Sequence, residues 1–131
     1  MDVALSFSSL CARDIVALSD FYGNLFGLEE VLALRSPHFR GLTIGETILG
    51  FSGPAVYDLL NLIPPQPEST GVQSFLTFEV PDVDAVNSVT DAAVNAGATC
   101  VSAPARTYYG AWQSVLLDPE GNAFRINHLA L

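Results

Sequence analysis

The sequence contains no lysine. Its permanent positive charges are five arginines, set against 14 acidic residues, for a net charge of −9 at pH 7. A nucleic-acid binder needs a basic face to neutralise phosphates, so no nucleic-acid partner is expected. Acidity of this degree serves solubility, or it favours a cationic ligand. Cysteine is scarce as well. Cys11 and Cys100 form no metal-type spacing, and they read as reduced, buried, small apolar residues. The sequence leaves a disulfide between them open. No apolar run approaches the ~20 residues of a membrane span, so no membrane partner is expected. The opening Met1-Asp2-Val3-Ala4-Leu5 lacks the basic region of a secretory signal, which makes the cytoplasm the expected location. No Ser-His-Asp, Cys-His, phosphate-loop or zinc pattern occurs.

What is present is apolar patterning. Half of the 131 residues are hydrophobic, enough for one compact domain with a real core. The chain repeats itself. Val3 to Leu10 is of strand type. Asp14 then precedes apolar residues at 15, 18, 21, 22 and 25, which is helical spacing behind an N-cap, with Gly27 as its end. Strands are expected at about 29–35, 39–44 and 47–52. The second unit opens with a strand, Gln73 to Val80. Pro81-Asp82 then starts a helix through Val83, Val86, Val89, Ala92, Ala93 and Ala96, and Gly97 ends it. Strands near 99–103, 111–117 and 123–128 follow. Asp14 matches Asp82, Gly27 matches Gly97, and Gly45-Glu46 matches Gly121-Asn122. The expected organisation is α+β: a single domain of two tandem βαβββ modules, about 1–52 and about 73–131. The linker, about 53–72, is stiffened by Pro64-Pro65-Gln66-Pro67, and a helical turn at Tyr57 to Leu60 precedes the prolines.

The last hairpin carries the most specific signal. In Leu117-Asp118-Pro119-Glu120-Gly121-Asn122, Asp-Pro opens a turn and Gly-Asn tolerates the positive φ that tight reversals need. This run resembles the signature that ends many vicinal oxygen chelate proteins, namely glyoxalase I, extradiol dioxygenases, and fosfomycin and bleomycin resistance proteins. Asp14 with Phe21-Tyr22 and Leu25-Phe26-Gly27-Leu28 is similar to the family's first-helix pattern. Phe78-Glu79-Val80-Pro81-Asp82 is similar to its second-module opening. The resemblance covers essentially the whole chain and implies a curved mixed sheet around a cup. It also implies a homodimer.

In metal-dependent members the resemblance places one ligand seven residues before each capping Asp and another on the last strand of each module. Here those positions read Phe7, Phe75, Arg125 and, aligned through Gly45-Glu46, Leu49. None offers a carboxylate, imidazole or thiolate, so no metal and no other cofactor is expected. Alternation along strands groups Phe7 with Ser9, Leu49 with Phe51, Phe75 with Thr77, and Arg125 with Asn127 as the cup lining. The competing reading is that the phenylalanines fill the cup as core. Tyr109 and Trp112 border the groove, and His38 stands at its mouth. Arg125 needs a counter-charge, supplied by Glu46, by Glu79 or by an anionic or carbonyl-bearing ligand.

The expected function is metal-independent binding of a small, partly aromatic molecule, in the manner of bleomycin-resistance-like proteins that sequester a drug or metabolite. The alternatives are a metal-independent enzyme on a small carbonyl or polyketide-like substrate, and a divalent-metal lyase or dioxygenase if the ligand alignment is shifted.

Overall fold

The computed structural model describes residues 1–68 and 71–129. Residues 69–70 of the expected linker and 130–131 of the second module lie outside them. The chain divides into two compact units, 1–69 and 70–131. Among the described residues no helix is long and apolar enough to cross a membrane.

The first module runs β1 (Phe7–Cys11), α1 (Ile15–Phe26), β2 (Phe39–Ile44), β3 (Thr47–Ser52) and α2 (Ala55–Leu59). Its sheet order is β1-β3-β2, with β1 parallel and β2 antiparallel to β3. Asp14 starts α1 by accepting the Ala17 N–H at 3.0 Å. Gly27, at φ 65°, ends it in the left-handed conformation open to glycine. The buried stripe of α1 includes Leu18, Phe21 and Tyr22. Tyr22 packs on Phe51 of β3 with ring centroids 5.7 Å apart, and both side chains are fully buried.

The second module runs β4 (Phe75–Glu79), α3 (Val83–Asn95), β5 (Thr99–Arg106), β6 (Trp112–Leu117) and β7 (Ala123–His128). Its sheet order is β4-β7-β6-β5, and again the first strand lies parallel to the last. Asp82 caps α3 through the Ala85 N–H at 2.7 Å. Small residues let α3 sit close on the sheet: Val86 and Ala93 are fully buried. Thr90 Oγ1 donates to Val86 O at 2.6 Å, so Ser114 Oγ must donate to Thr90 Oγ1 at 2.7 Å. This hydroxyl pair is satisfied internally and crosses from helix to sheet. Strand β5 is an edge strand. It carries Pro104, tolerated there because an edge leaves N–H groups without ladder partners, and its pairing with β6 shifts register twice.

The reversal from β6 to β7 is held by one buried carboxylate. Asp118 Oδ1 accepts from the backbone N–H groups of Glu120 (2.8 Å) and Asn122 (3.0 Å), and Oδ2 accepts from Asn122 Nδ2 (2.9 Å). Gly121 follows at φ 91°.

Two expectations about local structure are corrected. The strand expected at 29–35 is a single bridge, Glu30 to Leu42, followed by a 3-10 turn at Leu32–Leu34. Val31 N–H donates to Gly41 O and Thr43 N–H to Glu29 O. The chain then turns away, and Arg35 folds back so that its Nε donates to Glu30 Oε2 at 2.7 Å. The cysteines, expected to be buried, are both exposed free thiols, Cys11 at the end of β1 and Cys100 on the β5 edge.

Replacing Asp118 by Ala strands several donors in a buried turn and is expected to lower stability by about 2–3 kcal/mol in urea unfolding. Asp14→Ala, an exposed cap, is expected to cost about 1 kcal/mol. The Glu30 carboxyl lies below its ordinary value, chiefly through the Arg35 hydrogen bond. A depressed folded value means that this pair's contribution is complete above the unfolded carboxylate pKa and lost as pH falls through the folded one. An NMR titration should show the Glu30 midpoint rising toward normal in Arg35→Ala.

Candidate functional site

Strand register decides which residues meet. In the second module Thr77 is the partner of Arg125, and Arg125 is the partner of Val115; Glu79 and Gln113 both pair with Asn127. Partners across a sheet share a face. The opposite face carries Phe78, Ser114, Leu116, Phe124 and Ile126, all buried on the side where α3 packs. Phe75, Thr77, Glu79, Gln113, Arg125 and Asn127 therefore lie on the face turned away from the helix.

Arg125 organises that face. Its Nε donates to Thr77 Oγ1 at 2.8 Å, and its Nη1 donates to Gln113 Oε1 at 3.1 Å and to Tyr109 Oη at 3.3 Å. The Tyr109 hydroxyl donates to the same Gln113 oxygen at 2.9 Å. The guanidinium carbon stands 4.9 Å from the centre of the Phe75 ring, within cation–π range. All of these partners are neutral. Among the described residues no carboxylate lies within ion-pair distance of Arg125, and Nη2 has no acceptor. Glu79, expected as a counter-charge, is committed elsewhere: Oε1 accepts from Asn127 Nδ2 at 2.7 Å and Oε2 from the Leu129 N–H at 2.6 Å. Asn127 is buried, and its Oδ1 has no hydrogen-bond partner among the described residues. Glu46 is exposed in the β2–β3 turn and belongs to the other unit.

The structure thus brings together Phe75, Thr77, Tyr109, Arg125 and Asn127. Of the other expected site residues, Trp112 lies on the opposite face of this module and the rest belong to the first module. Trp112 points to the helix side, where its indole N–H donates to Asn87 Oδ1 of α3 at 2.8 Å and Arg106 lies over its ring. Phe7 and Ser9 lie on the first module's equivalent face, since Phe7 pairs with Ile48 and Ser9 with Gly50. Leu49 and Phe51 are corrected outright. They occupy the opposite face, 2% and 0% exposed, and Phe51 packs against Tyr22 as core. A one-residue shift along a strand exchanges the two faces, and the first module's counterpart of Arg125 is Gly50. His38 lines a cleft of the first module with Phe39, Ser52 and α2. Gln113, which accepts from both Arg125 and Tyr109, was missed. Counting back along the hairpin from Leu117 opposite Ala123 places it beside Asn127.

A family model described as the glyoxalase/bleomycin resistance protein/dioxygenase superfamily matches residues 4–126. The chain belongs to that superfamily. A solved family enzyme from Burkholderia phytofirmans PsJN is 42% identical, with a TM-score of 0.90 over 98% of this chain and 100% of that one. A glyoxalase-related enzyme from Fulvimarina pelagi is 20% identical (TM-score 0.82, 96% and 88% covered). A lactoylglutathione lyase from Agrobacterium tumefaciens is 21% identical (TM-score 0.72, 97% and 94% covered). The last two show a shared fold. No curated protein matches the sequence.

Many superfamily members use a divalent metal, and the residues here do not fit one. The equivalent positions hold Phe7, Gly50, Phe75 and Arg125. These provide no lone-pair donor, and the guanidinium would repel a cation. Among the described residues no group of three or more His, Cys, Asp or Glu side chains could hold a metal ion.

The corrected assignment of faces has a direct check. Phe51→Ala should destabilise the protein by about 3–5 kcal/mol as a core cavity. Phe75→Ala, at a side chain 57% exposed, should cost less than about 1 kcal/mol. Denaturant midpoints of the two variants decide the matter, and comparable losses would reject the assignment.

Proposed function

We propose that this superfamily member binds, and thereby sequesters, a small, partly aromatic molecule bearing a carboxylate or similar anionic oxygen, without a divalent metal. The supporting observation is the Arg125 guanidinium. It stands at the last-strand ligand position, fixed by Thr77, Gln113 and Tyr109, without a carboxylate among the described residues, and with Nη2 unused. A fixed planar fork with a spare edge suits a carboxylate, and Phe75 beside it offers ring contact to an aromatic body. Chelation would need donors that these positions lack, whereas binding needs only the face. The reading has the protein working in the cytoplasm and, as the family resemblance implies, as a homodimer.

A second reading draws on the Burkholderia relative being described as an enzyme. On that reading Arg125 would polarise the carbonyl oxygen of a small substrate, and the neighbouring Tyr109 hydroxyl would be the nearest proton donor.

Calorimetry and thermal shift with benzoate, and with benzamide as its neutral isostere, test the proposal. Benzoate should raise the melting temperature, benzamide should not, and EDTA should leave the shift unchanged. Arg125→Ala should weaken benzoate binding by about tenfold or more, and Arg125→Lys should restore part of it. Stoichiometric bound metal required for binding would reject the reading. Turnover of a small keto acid that depends on Tyr109 would favour the enzyme.

A further inference from the structure

The first module contains a cleft of about 590 Å³, within the size range of small-molecule pockets, between one end of its sheet and α2. Phe39 and Ser52 line it from the sheet, Val56, Asp58 and Leu59 from α2, and His38 from the turn before β2. Its walls are mainly apolar.

The floor has been made for an aromatic ring. Gly41 and Gly50 are direct partners in neighbouring strands. A Cβ at Gly50 would fall 2.9 Å from Phe39 Cε1 and 2.7 Å from Ser9 Oγ. One at Gly41 would fall 3.1 Å from Phe39 Cε2 and 2.9 Å from the Ile48 side chain. Glycine weakens the interior of a strand, so two paired glycines need a reason. Here they let the Phe39 ring lie across the strands, and Phe7 meets it edge-on at 6.2 Å. The half-buried ring is thereby held with one side on the glycines and contributes to the cleft.

Charge selects the occupant. Asp58 is the one carboxylate among the lining residues. It is exposed and has no ion-pair partner among the described residues. A fixed aromatic surface next to an unneutralised carboxylate, in a chain of net charge −9, complements a planar ring carrying a cationic amine.

We propose that this cleft is a second small-molecule site, specific for aromatic amines, with Phe39 as the stacking surface and Asp58 as the counter-charge. It does not rest on the anion-binding reading of the second module, and it prefers the opposite charge.

The test is NMR titration of the full chain with 2-phenylethylamine and, separately, with 2-phenylethanol as the neutral isostere. Shifts from the amine should map to Phe39, Ser52 and 55–59, and the amine should bind about fivefold more tightly than the alcohol, the scale of a partly exposed charge pair. Asp58→Asn, at an exposed position, should erase that preference while alcohol binding persists. Gly50→Ala should displace Phe39 and weaken both ligands. Equal binding of amine and alcohol, shifts confined to the 75–127 face, or no shift at millimolar amine would each overturn the proposal. So would a folded Gly50→Ala protein of unchanged affinity. If Gly50→Ala does not fold, Asp58→Asn alone decides.

Discussion

Parallel pairing of the first and last strands in each module is the constraint from which the site follows. Side chains alternate strictly along a strand, so one register choice assigns every residue to the helix side or to the other face. With Phe75 opposite Ala123, Thr77 must meet Arg125 and Glu79 must meet Asn127. The helix side is then left with Phe78, Phe124, Ile126 and the Ser114 hydroxyl that answers Thr90. The same pairing in the first module sends Leu49 and Phe51 to the buried face, where Phe51 packs on Tyr22, and leaves Gly50 where the second module has its arginine. Two modules that share this first-to-last strand pairing thus present opposite chemistry at equivalent places, a bare glycine in one and a guanidinium in the other.

That guanidinium is a local reversal of sign in a strongly acidic chain. The nearest carboxylate in its own strand pair, Glu79, is bound to the Asn127 amide and the Leu129 N–H instead. Thr77, Gln113 and Tyr109 supply geometry without neutralising charge. Neutral acceptors hold an arginine rigid while leaving its field intact, and this separates Arg125 from a structural ion pair such as Glu30–Arg35.

Much of this was legible in the sequence because the signals were local. The capping aspartates, Gly27 and Gly97, and the Asp-Pro-Glu-Gly-Asn turn each act within a few residues, and both helices and the last hairpin lie where those signals put them. The Leu49 assignment failed because it equated unequal turns. Ile44 and Thr47 are joined by two residues, Gly45-Glu46, whereas Leu117 and Ala123 span the longer loop 118–122. Counting from the turn therefore lands one residue off. The strand expected at 29–35 failed because apolar content stood in for pairing. Leu32 and Leu34 are exposed, and the Glu30–Arg35 contact curls the segment away from β2. Glu79 could not be read as the partner of Asn127, since that contact depends on a pairing between residues far apart in the chain.

The bulged edge formed by β5 also bears on how copies of this chain avoid one another. An open strand edge is a template for a neighbouring molecule, and a flat one invites stacking into fibres. Pro104 withholds a donor in the middle of β5, and the two register shifts between Cys100 and Ala105 bend the ladder there. A foreign strand approaching that edge finds no continuous row of hydrogen-bonding groups. The module can keep its crowded display of aromatic side chains, Tyr108 among them at full exposure, while that flank resists growth into an intermolecular sheet.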